Sequence, residues 1–192
     1  MKKAKILLQA IIFLLVFCTS FPSKAQEAAP YILDVPYVPT PEIVVDEMLR
    51  MAEVGEEDVL YDLGSGDGRI PITAAKRFGT RGVGIDLNPE RVKEANENAI
   101  REKVTDKVEF LEKDIFETDF SDATVLYLYL FPEVNIKLRP TILKMKPGTR
   151  VISHNYDMGD WVPEQTKKLK APNGREHTIY LWRVPLHQNS TN

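Results

Sequence analysis

The chain has 192 residues, 43% hydrophobic and 28% charged, a balance that suits one globular domain with a sizeable core. A net charge of −3 argues against a non-specific nucleic-acid binder, which needs a positive surface to release counterions. A single cysteine, Cys18, excludes an internal disulfide framework and a thiolate metal site.

Residues 1–25 read as a secretory signal peptide. Lys2, Lys3 and Lys5 form a positive start, and 6–17 is an apolar run broken by Gln9. Ser23-Lys24-Ala25 then offers small residues at a cleavage site. The run is short for a membrane span, which needs about 20 apolar residues, although an uncleaved signal anchor stays open as an alternative. Phe17 before Cys18 speaks against a lipidated cysteine. Removal of 1–25 takes away four lysines, no acid and the only cysteine, and moves the charge from −3 to −7. The expected destination is the periplasm or exterior, with no integral membrane span after cleavage.

Residues 26–41 carry Pro30, Pro36, Pro39 and Pro41, which rules out regular helix and predicts an extended lead able to act as a lid. A helix is expected over 41–54, with Thr40 as its N-cap and Pro41 at its first position. Strands and helices then alternate: strand 58–63, helix 70–78 ended by Gly79, strand 82–85, and helix 89–103 capped by Asn88. Strand 108–111, strand 124–130 and a helix over 132–145 disturbed at Pro140 follow. After a Pro147-Gly148 turn comes strand 149–154, and 165–170 with 177–184 form a closing hairpin around Pro172-Asn173-Gly174. The expected fold is α/β, a Rossmann-like doubly wound sheet with a C-terminal antiparallel hairpin. The domain is placed at 42–186 and a tail at 187–192.

The chemistry is concentrated in Val59-Leu60-Tyr61-Asp62-Leu63-Gly64-Ser65-Gly66-Asp67-Gly68-Arg69, which runs from a buried strand through a glycine turn into a helix. Such a loop faces the carboxyl ends of the strands, where open α/β sheets bind ligands. A dinucleotide fingerprint reads G-x-G-x-x-G, and Arg69 occupies the place of its packing glycine. Asp62 and Asp67 would repel a pyrophosphate and favour a cationic sulfonium and its amino group. Spacing and charge both point to S-adenosylmethionine. Asp86, at the end of the second strand, can accept both ribose hydroxyls, a feature nicotinamide enzymes share. Asp114, after the third strand, can accept from the adenine amino group, with Ile115 against the ring. Thr40, Gly64, Ser65, Gly66 and Leu87 complete the candidate cofactor set.

Residues 35–184 resemble the class I methyltransferases of the archaeal broad-specificity protein lysine methyltransferase type and, more distantly, the mitochondrial lysine methyltransferases of animals. The resemblance rests on Val35-Pro36-Tyr37-Val38-Pro39-Thr40-Pro41, on 61–70 within the glycine loop, and on Pro147-Gly148-Thr149-Arg150-Val151-Ile152-Ser153-His154 with Trp161 soon after. It implies a seven-stranded sheet, S-adenosylmethionine as donor and protein lysine as acceptor. Asn155 stands where the archaeal enzymes carry an acid.

Methyl transfer from an activated donor asks the protein mainly to align and desolvate the partners. Tyr37, Tyr129 and His154 are the candidate catalytic residues; Tyr37, Tyr129 and Phe131 can line an acceptor channel, and His154 lies at a carboxyl strand end, where a structural role competes. The fourth strand lacks the Asp/Asn-Pro-Pro-aromatic signature used to methylate exocyclic base nitrogens, so no nucleic-acid partner is expected. The histidine spacing shows no zinc motif. Two alternatives to a protein substrate stay open: a small-molecule methyltransferase, and an exported nucleoside-binding protein without turnover.

Overall fold

The computed structural model describes residues 37–186; the signal peptide, most of the lead and the tail lie outside the described residues. Helix α1 spans Glu42–Met51 and is followed by β1 (Val59–Leu63), α2 (Arg69–Phe78), β2 (Arg81–Asp86), α3 (Pro89–Glu102), β3 (Val108–Glu112) and β4 (Val125–Leu128). The chain continues through α4 (Pro132–Ile142), β5 (Arg150–His154), β6 (Gln165–Lys170) and β7 (Glu176–Arg183).

The strands form one seven-stranded sheet in the order β3-β2-β1-β4-β5-β7-β6. Strands β1 to β5 run parallel, and β7 pairs antiparallel with both β5 and β6. The order reverses at β1, so β1 and β4 diverge at the switch point where such sheets leave a crevice.

Strand periodicity divides the core in two. Tyr61, Leu63, Leu126, Leu128, Val151 and Trp182 face one cluster, which α4 completes with Val134, Leu138 and Ile142. Leu60, Val125, Tyr127, Ile152, Ile179 and Leu181 face the other, against Val44, Val45, Met48 and Leu49 of α1. Alternation of side chains across the pleat therefore carries Asp62, Tyr127 and His154 to the α1 side. At the opposite strand ends, Asp58 pairs with Arg150 and accepts from the Thr124 hydroxyl (2.7 Å), while Arg150 Nη1 donates to the Ala52 carbonyl (2.7 Å).

Local signals set most boundaries. The Asn88 side chain accepts from Glu90 N, and Gly79 ends α2 in the left-handed region. Thr40 does not cap α1, contrary to expectation. The Pro41 carbonyl receives Val44 N and Val45 N, and Thr40 Oγ1 lies 3.2 Å from His154 Nδ1 instead. Pro140 sits in the last turn of α4, which ends at Ile142 rather than at 145, although Leu143 N still reaches the Arg139 carbonyl at 2.9 Å. Strand β4 stops at Leu128, before the expected 130, because the chain there leaves the sheet to enter α4 through Phe131-Pro132. Among the described residues no helix is long and apolar enough to cross a membrane.

Candidate functional site

A cleft opens at the carboxyl ends of β1, β2 and β4, the edge where open α/β sheets bind ligands. It gathers the candidate residues Tyr37, Thr40, Asp62, Gly64, Ser65, Asp67, Asp86, Leu87, Asp114, Ile115 and Tyr129. Gly66 stands beside it through its backbone, whose N–H donates to Asp86 Oδ2 at 2.8 Å.

The three strand-end acids occupy different environments. Burial, with Asp86 and Asp67 nearby, pushes the Asp62 carboxyl well above the usual carboxylate range. A cationic group placed against it would restore the ionised form and gain by doing so. Asp86 is fixed at both oxygens, since Oδ1 accepts from Asn88 N at 2.9 Å while Oδ2 takes Gly66 N. Each oxygen keeps acceptor capacity for a diol. Asp114 Oδ1 accepts from Phe116 N at 2.8 Å, which holds the carboxylate beside Ile115 and Phe116 in the wall.

Asp67 differs from its expected part. Burial raises its pKa, but Arg69 outweighs this and holds the carboxyl below its ordinary range. Arg69 Nε donates to Asp67 Oδ1 at 2.9 Å, and Arg69 Nη2 to Oδ2 at 2.5 Å. Asp67 is thus neutralised within the loop, and Asp62 is the carboxyl left to pair with a cation, which would restore its ionised form.

Arg69 is a residue that sequence reasoning missed. Its Nη1 donates to the Thr40 carbonyl at 2.8 Å, so one guanidinium joins the glycine loop to the lead. Tyr37 is held from several sides: its hydroxyl bonds to Asp67, the Arg91 guanidinium lies 4.9 Å from its ring centroid, and its ring rests on Gly66. The signal available was the one reversal of charge in the loop, an arginine two residues after an acid. Burial, then the Asp67 charge, raises the Tyr37 hydroxyl above its ordinary value, so it stays protonated near neutrality.

His154 does not line the cleft. It is fully buried behind Tyr129, with ring centroids 3.9 Å apart, and its Nε2 lies 2.8 Å from His177 Nδ1. With Thr40 on its other nitrogen it forms a buried chain across the α1 face. Burial, with His177 alongside, lowers the His154 pKa from 6.5 to about 3. The unfolded chain therefore binds this proton first as pH falls. Stability is present above about pH 6.5 and is lost progressively toward pH 3, at a slope of up to about 1.4 kcal/mol per pH unit. Chemical denaturation across the acid range is expected to show a flatter pH dependence for His154→Gln than for the parent. Equal slopes would mean that this imidazole is not linked to folding.

The cleft fits S-adenosylmethionine. A buried carboxyl faces the place for a cationic amino group, a pinned carboxylate serves a ribose, and Ile115 and Phe116 offer an apolar wall to a purine. A side chain at Gly64 would crowd Leu130, and one at Gly66 would overlap the Tyr37 ring, so the loop backbone itself forms the floor. Among the described residues no group of His, Cys, Asp or Glu is placed to hold a metal ion.

Comparison with known proteins agrees with this geometry. Residues 62–165 match the model of the ANTKMT methyltransferase domain. A protein-lysine N-methyltransferase of Saccharolobus islandicus (strain REY15A) is 44% identical over 160 residues, covering 82% of this chain and 99% of that protein. An adenine nucleotide translocase lysine N-methyltransferase of Mus musculus is 33% identical over 136 residues, covering 70% of this chain and 58% of the animal protein. A crystal structure described as an RNA methyltransferase from Salinibacter ruber in complex with S-adenosyl-L-homocysteine is 52% identical, with a TM-score of 0.74, covering 80% of this chain and 97% of that one.

Proposed function

This chain belongs to the ANTKMT methyltransferase family, and from that premise we propose that it is an S-adenosylmethionine-dependent methyltransferase acting on lysine amines of proteins. The observation that carries the acceptor class is the 44% identity across 99% of a protein-lysine N-methyltransferase.

S-adenosylmethionine, when bound, supplies an activated methyl group. Asp62 takes the cationic amino end, Asp86 the ribose, and Asp114 with Ile115 the adenine. The remaining demand falls on the acceptor. A lysine ammonium must shed its proton before its nitrogen can attack. Of the cleft carboxylates, Asp67 is bound to Arg69, while Asp86 and Asp114 accept backbone N–H groups. Each of these already holds a protein partner, and Asp62 is assigned to the donor's amino end, which favours loss of the proton to water and capture of the neutral amine. The chain then contributes alignment and exclusion of water, which can lower a barrier by several kcal/mol, roughly 7–11 in well-oriented systems.

A second reading is favoured by one observation: the 52% identical chain from Salinibacter ruber is described as an RNA methyltransferase. The net charge of −3 and the Leu130-Phe131-Pro132 exit from β4 weigh against it. Incubation of the protein with methyl-labelled donor and a cell extract separates the two. Label that is protease-sensitive and recovered as methyllysine supports the protein acceptor; nuclease-sensitive label transfers the assignment to RNA.

Export completes the proposal, supported by Lys2, Lys3 and Lys5, the apolar run and Ser23-Lys24-Ala25. N-terminal sequencing of the processed protein is expected to begin at Gln26. Retention of residues 1–25 in a membrane fraction indicates an anchor, and a full-length soluble cytosolic protein overturns export.

A further inference from the structure

Strand β6 is a free edge of the sheet, and its whole length is exposed apart from half-buried Leu169. Ala171 N donates inward to the Arg175 carbonyl (2.9 Å), and Thr178, opposite Lys168, turns its own N–H and C=O to Asn155 on the far side of β7. Strand alternation therefore points the N–H and C=O groups of Thr166, Lys168 and Lys170 outward, away from β7. A row of outward backbone groups is a template for another extended chain.

This edge carries one sign of charge. Residues 165–175 hold Lys167, Lys168, Lys170 and Arg175 and no acid, in a chain of net charge −3. Lys167 turns to the α1 side, where it meets Glu47 at 2.8 Å, and Leu169 packs on that side too. Thr166, Lys168 and Lys170 share the other face. Among the described residues Lys168, Lys170 and Arg175 pair with no carboxylate, unlike Lys167. Their place in the fold matters as much as their charge. Ile179 lies opposite His154, so the turn 171–175 stands beyond the carboxyl end of β5, on the edge of the sheet that carries the cleft. Arg175 is near enough for its charge to act on Tyr129 of the cleft wall.

We propose that β6 is a docking edge for the protein acceptor, which adds to it as an extended segment whose acids, two residues apart, face Lys168 and Lys170. This rests on the protein acceptor assigned above. Side chains on one face of paired strands lie about 4.5–5.5 Å apart, so alternate acids meet the two lysines while backbone bonds hold the register. Nucleic-acid phosphates cannot answer the outward N–H and C=O groups in alternation, which favours a polypeptide over RNA. The β6 edge of a second copy brings the same charge and is repelled. A docked strand lies four strand positions from β4, about 19 Å at roughly 4.8 Å each. An extended chain covers that distance in about six residues. The acceptor lysine is therefore expected about six residues from the acids, past the Arg175 turn.

Two peptides test this, each with one lysine about six residues from Glu-Thr-Glu or from Gln-Thr-Gln. In methyl transfer by the full protein, the acidic peptide is expected to show a KM about tenfold lower at similar kcat, the scale of two opposite-charge cross-strand pairs. Lys168→Glu combined with Lys170→Glu is expected to remove that advantage and to favour an Arg-Thr-Arg peptide instead, again through KM. N-methylation of the acidic triplet keeps its charge, removes its strand donors and is expected to abolish the advantage. Equal KM values for the two peptides, or an advantage that survives N-methylation, overturn the docking edge even if lysine is methylated. Stronger competition by oligouridylate than by the acidic peptide gives the edge to RNA, and self-association lost in the double variant gives it to a second copy; either result overturns the proposal. Fluorescence anisotropy of the labelled peptides reads the same differences without turnover. Binding that follows the charges, in a protein that methylates no lysine, upholds the docking edge and removes the lysine assignment instead.

Discussion

Gly66→Val is expected to abolish S-adenosylmethionine binding while leaving a folded protein. Gly66 adopts φ 52°, and a Cβ there would overlap the Tyr37 ring. Valine is doubly unsuited, because a branched side chain resists positive φ and the space it needs is taken. Two adjustments are available, and both damage the cleft. Tyr37 can swing away, which breaks its contact with Asp67 and opens the wall made by the lead. Alternatively, the loop can shift, which removes the Gly66 N–H from Asp86 Oδ2. The sheet itself is untouched by either. Calorimetric titration with the donor, alongside circular dichroism, checks both halves of the expectation. Normal affinity in the variant would show that the cofactor lies elsewhere.

Asp86→Ala is expected to weaken donor binding by about 1.5–3 kcal/mol, the range for hydrogen bonds to a charged group. The same carboxylate also holds Gly66 N and Asn88 N, so some loss of stability accompanies the loss of affinity. Asp86→Asn separates the two effects. Its amide can keep one backbone bond but presents a donor toward the ribose, so stability is expected to recover more than affinity. Thermal denaturation and calorimetry on the three proteins measure the split. If the asparagine variant regains full affinity, Asp86 supports the loop and does not hold the ribose.

Much of the cleft was legible because a parallel sheet brings every strand's carboxyl end to one edge. Asp62, Asp86 and Asp114 each follow or close a strand, so their convergence is a consequence of topology alone. Charge was less legible than position. Asp62 and Asp67 look alike in sequence, yet one is buried on the α1 face and the other is clasped by Arg69. Thr40 precedes an apparent helix start and reads as a cap, but the helix begins after Pro41 and a histidine 114 residues away claims the hydroxyl. His154 sits at a strand end, as a catalytic histidine would, yet the pleat turns it inward beneath Tyr129. Asn135 gave no signal, and Asn155 stood out only as a departure from the archaeal enzymes, because their contacts between α4, β5 and β7 are not revealed by spacing.

The antiparallel hairpin at the end of the sheet has a bearing on how the molecule is made. Strand β7 lies between β5 and β6, so the last described strand to leave the ribosome is an interior one. It brings Ile179, Leu181 and Trp182, all fully buried, into both halves of the core at once. Until residues 176–183 emerge, β5 has an open edge and neither layer can close. The sheet therefore stays incomplete until this strand emerges, and closure waits on contacts distant in sequence, which are slow to form. The Trp182 indole, fully buried in β7, would report the moment of closure.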